Sequence, residues 1–337
     1  AVNWDLLPQS AVQSITLSGG ANPLFGLNSL GGSLVIDMKD GFSSEGTNVE
    51  ISSGSFGRTT ANFETGGNNG SLAYYANLES FQEDGWRDQS ESDALNFYGS
   101  VGWRDQSTQL NLNYQYGQSE LIGNGAAPTE LLALDREAIF TGPAITENDM
   151  QMISFDYQHD VSSDTSFGGN FFYRKNKTNS FNGDGSEFAV CSLGGMPQLL
   201  DGIEGDDLEE LGLDDDDICE NQFADSDALE AFLNQTAAMM GSDDEFNLEN
   251  FADDLSGTGV LSDQGINNLS DRSQESIGAD FQWTVRGNFL GYDSQVIAGG
   301  AYYRGESNFD AVLELANLDP ISRLTLGLGT GTFVDSE

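Results

Sequence analysis

Hydrophobic and polar residues alternate with a period of two along most of this chain. In residues 110–116, leucine and tyrosine occupy the even positions, and asparagine and glutamine occupy the odd ones. The same alternation recurs in segments that begin near residues 72, 95, 153, 167 and 277. Because successive side chains of a strand point to opposite faces, each segment predicts a β-strand with one apolar and one polar face.

The connections between these predicted strands alternate in length. Short turns are predicted at 65–70, 105–107, 161–164 and 287–293, and long connections at 83–93, 118–149, 176–271 and 304–322. Aromatic residues near the strand ends complete the pattern, which is typical of a transmembrane antiparallel β-barrel. The soluble alternative is a β-sandwich, but its strands are usually shorter and it seldom carries two long insertions on one end.

The number of predicted strands indicates an incomplete barrel. We predict about ten strands, whereas a plugged transporter barrel has about 22. An open sheet in lipid would leave unpaired backbone groups at both edges, each at a cost of several kcal/mol. We therefore expect the chain to be part of a longer protein, with residues missing before Ala1 and strands missing after the last one.

Composition and charge narrow the function. The 337 residues are 38% hydrophobic and carry a formal net charge of −43, which argues against a nucleic-acid partner. No stretch of 18 uncharged apolar residues occurs, so the sequence predicts no membrane-spanning helix. Residues 176–270 contain 23 of the 55 acidic residues and one basic residue, Lys177. We interpret this range as a solvated, extracellular insertion.

The two cysteines, Cys191 and Cys219, both lie in this acidic insertion. In a cell-surface protein such a pair predicts a disulfide that closes the loop, with two free thiols as the alternative. On the chain-entropy model, closing this loop stabilises it by about 3 kcal/mol.

Other polar features of the sequence favour no enzyme. The only histidine, His159, has no second ligand of its type, so neither a catalytic nor a zinc role is indicated. The four aspartates of 214–217 are interpreted as a solvated patch, with a loop-bound calcium ion as the alternative cofactor. The apolar spacing within 225–255 predicts a short helix in the loop, with Asp225 or Asp227 as its N-cap.

Two motifs carry a resemblance to a known family. Residues 14–39 contain two short apolar runs separated by glycine pairs, where tight turns and close backbone approach are required. The motif consists of Ile15 and Leu17, Gly19-Gly20, Leu24-Phe25-Gly26, Gly31-Gly32, and Leu34-Val35-Ile36 with Lys39. The second motif is Glu83-Asp84-Gly85-Trp86-Arg87-Asp88-Gln89-Ser90, at the start of a predicted long loop. Together they resemble the end of the plug and an early barrel strand of a TonB-dependent outer-membrane receptor.

The resemblance implies a domain organisation and an activity. Residues 1–42 would be the C-terminal part of the plug, and residues 43–337 the N-terminal part of the barrel, with a long acidic extracellular loop at 176–270. Such a receptor lies in the outer membrane of a Gram-negative bacterium and imports a scarce nutrient, such as a ferric siderophore. Its partners are the membrane lipid, the nutrient and the TonB energy-coupling complex.

The resemblance also implies candidate ligand-binding positions. Phe25 matches the aromatic residue of the plug's apical turn, with Asn22 and Asn28 near it, and Asp84, Trp86 and Arg87 lie at the barrel rim. For Trp86 the alternative role is an anchor in the aromatic belt, and for Arg87 a salt bridge within the loop. The rival functions are a passive porin, a surface adhesin, and a secreted acidic β-domain that binds calcium or polysaccharide.

Overall fold

The alternating segments form one long antiparallel sheet. The computed structural model describes residues 4–20, 31–123, 125–186, 188–203, 205–213, 218–242, 244–250, 265–289, 292–328 and 333–336. Two 3-10 turns, Trp4–Leu6 and Gln9–Ala11, precede the first strand. The strands up to the first helix are β1 (Val12–Gly19), β2 (Gly32–Met38), β3 (Gly46–Ser53), β4 (Thr59–Asn68), β5 (Leu72–Glu83), β6 (Ser92–Arg104) and β7 (Thr108–Gly123).

The second half of the chain adds longer strands and a set of short elements. In chain order they are α1 (Thr129–Leu134), β8 (Ala144–Ser162), β9 (Thr165–Gly185), β10 (Ala189–Leu193), β11 (Met196–Asp201), α2 (Gly205–Glu210), α3 (Ser226–Met240), β12 (Glu249–Asn250), β13 (Gly265–Phe289), β14 (Tyr292–Leu318), β15 (Thr325–Gly327) and β16 (Phe333–Ser336). None of the described helices is long and apolar enough to cross a membrane.

The main sheet follows the chain order. Its described strands run β3-β4-β5-β6-β7-β8-β9-β13-β14-β15, and β16 also pairs with β14. Most neighbouring strands are also consecutive in the chain, as the predicted antiparallel barrel requires. The prediction of an all-β, barrel-type sheet of about ten strands is confirmed.

Contacts divide the chain into two compact units, which are described separately. The first unit, here called the wall unit, comprises Ala1–Ile122, Thr146–Asn179 and Asp271–Phe309. The second unit, here called the loop unit, comprises Gly123–Ile145, Ser180–Ser270 and Asp310–Glu337.

The predicted alternation sets the two faces of the wall unit. Leu112 is 49% exposed and Phe281 is 63% exposed, whereas Asn77 on the opposite face is fully buried. Along β5 and β6 the register pairs Leu78 with Phe97, so apolar side chains of neighbouring strands share one face. The wall unit therefore exposes its apolar face and buries its polar one, the reverse of a soluble sheet and the arrangement expected of a barrel in lipid.

The short turns of the wall unit are closed by side-chain caps. Asp105 Oδ1 accepts hydrogen bonds from the backbone N–H groups of Ser107 and Thr108, each at 2.8 Å, which lowers the pKa of this exposed carboxyl. Asn69 Oδ1 accepts in the same way from the N–H groups of Ser71 and Leu72. These local bonds explain why two or three polar residues suffice to reverse the chain.

The full lengths of the three longest strands were not predicted. Residues 304–322 were expected to form a long connection, but β14 continues to Leu318, so that prediction is wrong. Likewise β9 extends to Gly185 and β13 begins at Gly265, both inside the range 176–270. Residues 304–310 are exposed throughout, and a strand without a lipid-facing side shows no alternation from which it can be predicted.

The glycine-rich segment forms a hairpin of its own. Strands β1 and β2 pair only with each other, with Ile15 opposite Ile36 and Gly19 opposite Gly32. Gly32 has a φ of +149°, and a Cβ atom there would lie 2.7 Å from the carbonyl oxygen of Ser18. Both facts require glycine at this position. The turn between the strands, residues 21–30, lies outside the described residues.

The loop unit has its own hydrophobic core. Strands β10, β11 and β12 form a small sheet, and helix α3 packs against it through Leu229, Leu233 and Ala237. The predicted helix is confirmed: Asp225 is its N-cap and accepts a 2.9 Å hydrogen bond from the Ala228 N–H. Gly241 ends it in the left-handed conformation, with φ +75°.

The predicted disulfide is also confirmed. Cys191 in β10 is bonded to Cys219, and Cys191 is fully buried in the core of the loop unit. The disulfide joins the small sheet to the segment that precedes helix α3. A hydrogen bond from the Ser192 N–H to the Cys219 carbonyl, at 2.8 Å, links the same two segments.

We predict that the double variant Cys191→Ser, Cys219→Ser destabilises the loop unit by about 3 kcal/mol, because the unfolded loop regains the entropy that the crosslink removes. Limited proteolysis should then cut within 188–250 faster, while the strands of the wall unit stay resistant. The control is the wild-type protein with and without a reductant. Equal cleavage of variant and wild type would contradict the prediction.

We further predict that Phe171→Lys or Phe281→Lys lowers the free energy of unfolding in lipid by about 2–4 kcal/mol, because each side chain projects from the apolar face. The measurement is denaturant unfolding of the protein inserted in vesicles. Phe281→Leu, which keeps the position apolar, is the matched control. Unchanged stability of the lysine variants would show that these positions do not face hydrocarbon.

Candidate functional site

The polar face of the wall unit is a continuous lining of buried amides and hydroxyls. Its members come from five neighbouring strands and share the parity opposite to the exposed apolar residues. They are Asn77, Asn96, Ser100, Ser119, Asn148, Ser154, Asn176 and Thr178. A buried polar group is costly without a hydrogen-bond partner, so something must cover this lining and bind it.

Part of that cover is the N-terminal segment 4–11. The carbonyl oxygen of Asp5 accepts a 2.8 Å bond from Asn96, and the carbonyl oxygen of Leu6 accepts a 2.9 Å bond from Gln115. Leu6 itself is buried, and a Cβ atom at Gly117 would lie 3.1 Å from it. Gly117 therefore lets the segment lie close against strand β7.

Asp5 is the centre of a hydrogen-bond network across three strands. Its carboxylate accepts from the hydroxyl of Ser119 and, at 3.3 Å, from the side chain of Asn148. The amide oxygen of Asn148 in turn accepts a 2.8 Å bond from Thr178. One carboxylate of the segment is thus connected to β7, β8 and β9.

Ser10 forms a second network at the other end of the segment. Its hydroxyl lies 2.7 Å from a carboxylate oxygen of Glu79 and accepts a 2.9 Å bond from Asn77. Asn77 also donates to Asn62 at 2.8 Å. The chain then enters the β1–β2 hairpin, so both sides of residues 4–11 are held to the polar face.

The exit from the hairpin is fixed by an ion pair. Lys39 Nζ lies 2.8 Å from Glu64 Oε2, which also accepts a 2.7 Å bond from the Tyr75 hydroxyl. Gly41 then passes so close to Tyr74 that a Cβ atom would lie 2.2 Å from its carbonyl oxygen. The Arg104 guanidinium sits 4.0 Å from the centre of the Phe42 ring.

Among the described residues, cavities lie between this segment and the wall, and two of them are large. One of about 650 Å³ lies between the β1–β2 hairpin and strands β6–β9, and its lining includes Asp37, Asn111, Asn113 and Asp156. The other, of about 430 Å³, lies beside residues 4–10 and is lined by Glu50, Arg58 and Glu79 among others. Amides and carboxylates around open space are suited to contact with a polar solute.

The predicted rim residues lie together in the loop between β5 and β6. The Asp84 N–H donates to the Phe56 carbonyl at 3.0 Å, which packs this loop on the neighbouring turn. The Arg87 guanidinium lies 5.9 Å from the centre of the Trp86 ring, and Trp86 is 46% exposed. The serine at position 90 closes the loop by accepting from the Arg87 N–H. These contacts lie within the loop and its neighbouring turn. The ligand-binding role of the three residues stays a prediction.

The other candidate residues are not tested either. Asn22, Phe25 and Asn28 lie outside the described residues, as do the aspartates of 214–217. Within the described ranges no group of three or more histidine, cysteine or acidic side chains lies close enough to hold a metal ion. His159 stacks on Tyr157, and its Nδ1 lies 2.9 Å from the Thr108 hydroxyl, a structural role at the end of β8.

The networks of Asp5 and Ser10 were missed by sequence reasoning. Both residues stand in a segment without alternation, and both act through partners more than 60 positions away along the chain. Only the neighbouring Pro8 and the glycine-rich run that follows marked the segment as irregular.

Comparison with solved structures identifies the fold. The ferripyoverdine receptor of the outer membrane of Pseudomonas aeruginosa, bound to ferripyoverdine, matches with a TM-score of 0.57 and 11% identity over 95% of this chain and 37% of that one. The ferric citrate transporter FecA in its unliganded form matches with a TM-score of 0.53 and 11% identity over 97% and 35%. The fold is that of the TonB-dependent outer-membrane receptors.

A third match and two negative results complete the comparison. The structure of the FpvAI–pyocin S2 complex matches with a TM-score of 0.55 and 12% identity over 90% of this chain and 32% of the other. The chain thus spans about a third of the length of these TonB-dependent receptors. No family model matches the sequence, and no curated protein matches it.

We predict that Asp5→Ala loosens the segment 4–11, because Ser119 and Asn148 lose the charged acceptor they share, at about 1–3 kcal/mol. Hydrogen exchange of residues 4–20 should become faster. Gln9→Ala, a change at an exposed position of the same segment, is the matched control and should leave exchange unchanged. Equal protection in the Asp5 variant would contradict a role for this network in holding the segment.

Proposed function

We propose that the chain is part of a TonB-dependent receptor of the Gram-negative outer membrane, which binds a scarce nutrient outside the cell and imports it. The observation that carries the proposal is the reversed polarity of the wall unit. Apolar side chains such as Leu112 and Phe281 are exposed, while the amide- and hydroxyl-rich face is buried under the N-terminal segment. A membrane makes such an outer surface favourable, because hydrocarbon covers the apolar side chains.

The segment on the polar face separates this proposal from its rivals. A passive porin needs an open lumen, whereas here the segment 4–11 and Lys39 bind the polar face through the networks of Asp5, Ser10 and Lys39. A secreted acidic domain gains nothing from an exposed apolar belt. The fold similarity to receptors for ferripyoverdine and ferric citrate supports the same conclusion.

In this proposal residues 1–42 are the final part of the plug and residues 43–337 the first part of the barrel. The long connections then lie outside the cell and the short turns in the periplasm. Transport requires force from the TonB complex, which acts on the plug, and no covalent chemistry. The family resemblance implies a nutrient such as a ferric siderophore. We expect the loop residues Asp84, Trp86 and Arg87 to contact this nutrient as it enters.

We predict that the full-length protein fractionates with the outer membrane and that deletion of its gene abolishes growth on one scarce nutrient. The panel consists of ferric chelates, vitamin B12 and oligosaccharides, each as the sole limiting source. Removal of the energy-coupling complex should give the same loss, and a general porin substrate such as glucose serves as the control. Uptake that persists without energy coupling would favour a passive pore instead.

A further inference from the structure

Basic residues are scarce in this chain, and most of them have a visible partner. There are 12 lysines and arginines against 55 acidic residues. Ion pairs hold Lys39, Arg58, Lys175, Lys177 and Arg304. Aromatic rings hold Arg87, Arg104 and Arg323. A partly buried basic side chain with neither an ion pair nor an aromatic partner is therefore unusual here.

Three arginines of the wall unit have no such partner among the described residues: Arg286, which is exposed near the end of β13, and two that are partly buried. Arg174 in β9 and Arg272 in β13 are partly buried, and neither has a hydrogen-bond or ion-pair partner among the described residues. The Nε atom of Arg272 is fully buried and unpartnered. Desolvating a guanidinium without a compensating anion is unfavourable, so each site is suited to a negatively charged group.

Strand alternation places both arginines on the polar face. Arg174 has the parity of Asn176 and Thr178, which are buried. Its neighbour Lys175 has the opposite parity and pairs at 2.9 Å with Glu275 on β13. Lys177 similarly contacts Asp271, so Arg272, the next residue, points to the polar face.

The same contacts give the separation of the two arginines. Because Lys175 lies beside Glu275, Arg174 is level with residue 276, four positions from Arg272 along β13. At about 3.3 Å per residue, the two backbone positions are roughly 13 Å apart along the strands. Long arginine side chains can therefore reach two anionic groups of one solute of about 1 nm, each in a bidentate contact.

We propose that Arg174 and Arg272 form an oxyanion-binding site for the transported solute, which carries at least two carboxylate- or phosphate-like groups. The inference rests on the proposed receptor function and names the charge class of its cargo. The strongly acidic composition does not exclude an anion, since exposed charges are screened beyond about 8 Å at physiological salt while contact pairs are not. Other basic side chains at the polar face, such as Lys39 and Arg104, are already held by Glu64 and Phe42, which leaves the partly buried Arg174 and Arg272 to bind the solute.

The test is equilibrium dialysis of the purified full-length receptor in detergent against two probes. Ferric citrate is the anionic probe, and an uncharged ferric trihydroxamate is the neutral one. The variant is Arg174→Gln, Arg272→Gln. The matched control is Lys175→Gln, Lys177→Gln, which removes the same charge from the same sheet region but on the opposite face.

We expect the wild type to bind ferric citrate more tightly than the neutral probe, and added salt to weaken that binding. The arginine variant should lose about 10- to 100-fold in affinity for ferric citrate and little for the neutral probe. The lysine control should bind as the wild type does. A preference for the neutral probe, no binding of ferric citrate, or equal affinity in the arginine variant would overturn the proposal.

A melting temperature for each variant separates ligand binding from a structural role. If the arginines pair with carboxylates of the protein itself, the arginine variant melts lower while its affinity for ferric citrate is unchanged, which overturns the proposal. Outer-membrane location and energised uptake are measured separately. Their loss would overturn the receptor function, whereas energised uptake of a neutral chelate alone would overturn only the oxyanion site.

Discussion

The structure depends on one constraint: the polar face of the wall unit is buried, whereas its apolar face is exposed. Between neighbouring strands of the main sheet the backbone groups are paired in the ladder. The remaining cost is that of the buried amides and hydroxyls on the polar face. Asn77 and Ser119 are almost completely buried, yet they bind residues of the N-terminal segment and so remain hydrogen-bonded.

This constraint explains why the segment 4–11 has so little regular structure. A helix or strand would use its backbone groups internally, whereas short 3-10 turns leave the carbonyl oxygens of Asp5 and Leu6 free to accept from the wall. The side chains of Asp5 and Ser10 add acceptors where several donors meet. An irregular segment is thus a better complement to a polar lining than a regular element would be.

How far the fold could be predicted follows from the same physics. Where an apolar face is exposed and a polar face is buried, alternation is strong, and the strands around Leu112 and Phe281 were correctly predicted. Where both faces meet water, as in residues 304–310, hydrophobicity carries no signal and the strand was missed. The disulfide and helix α3 were predictable because a cysteine pair and an N-cap are local patterns, unlike the contacts of Asp5 across more than 100 positions.

The two arginines of the proposed site were less predictable than the fold, because they are distinguished from other basic residues by having no counter-ion. Arg174 and Lys175 are neighbours in sequence and both are basic, and nothing in their order tells which one has a counter-ion. Only the pairing of β9 with β13 brings Glu275 to Lys175 and leaves Arg174 on the other face. A charge becomes selective when it is partly desolvated and unpaired, because then its interaction with a solute is screened least. In the site that we propose, two such arginines therefore favour an anionic solute in spite of the acidic net charge of the chain.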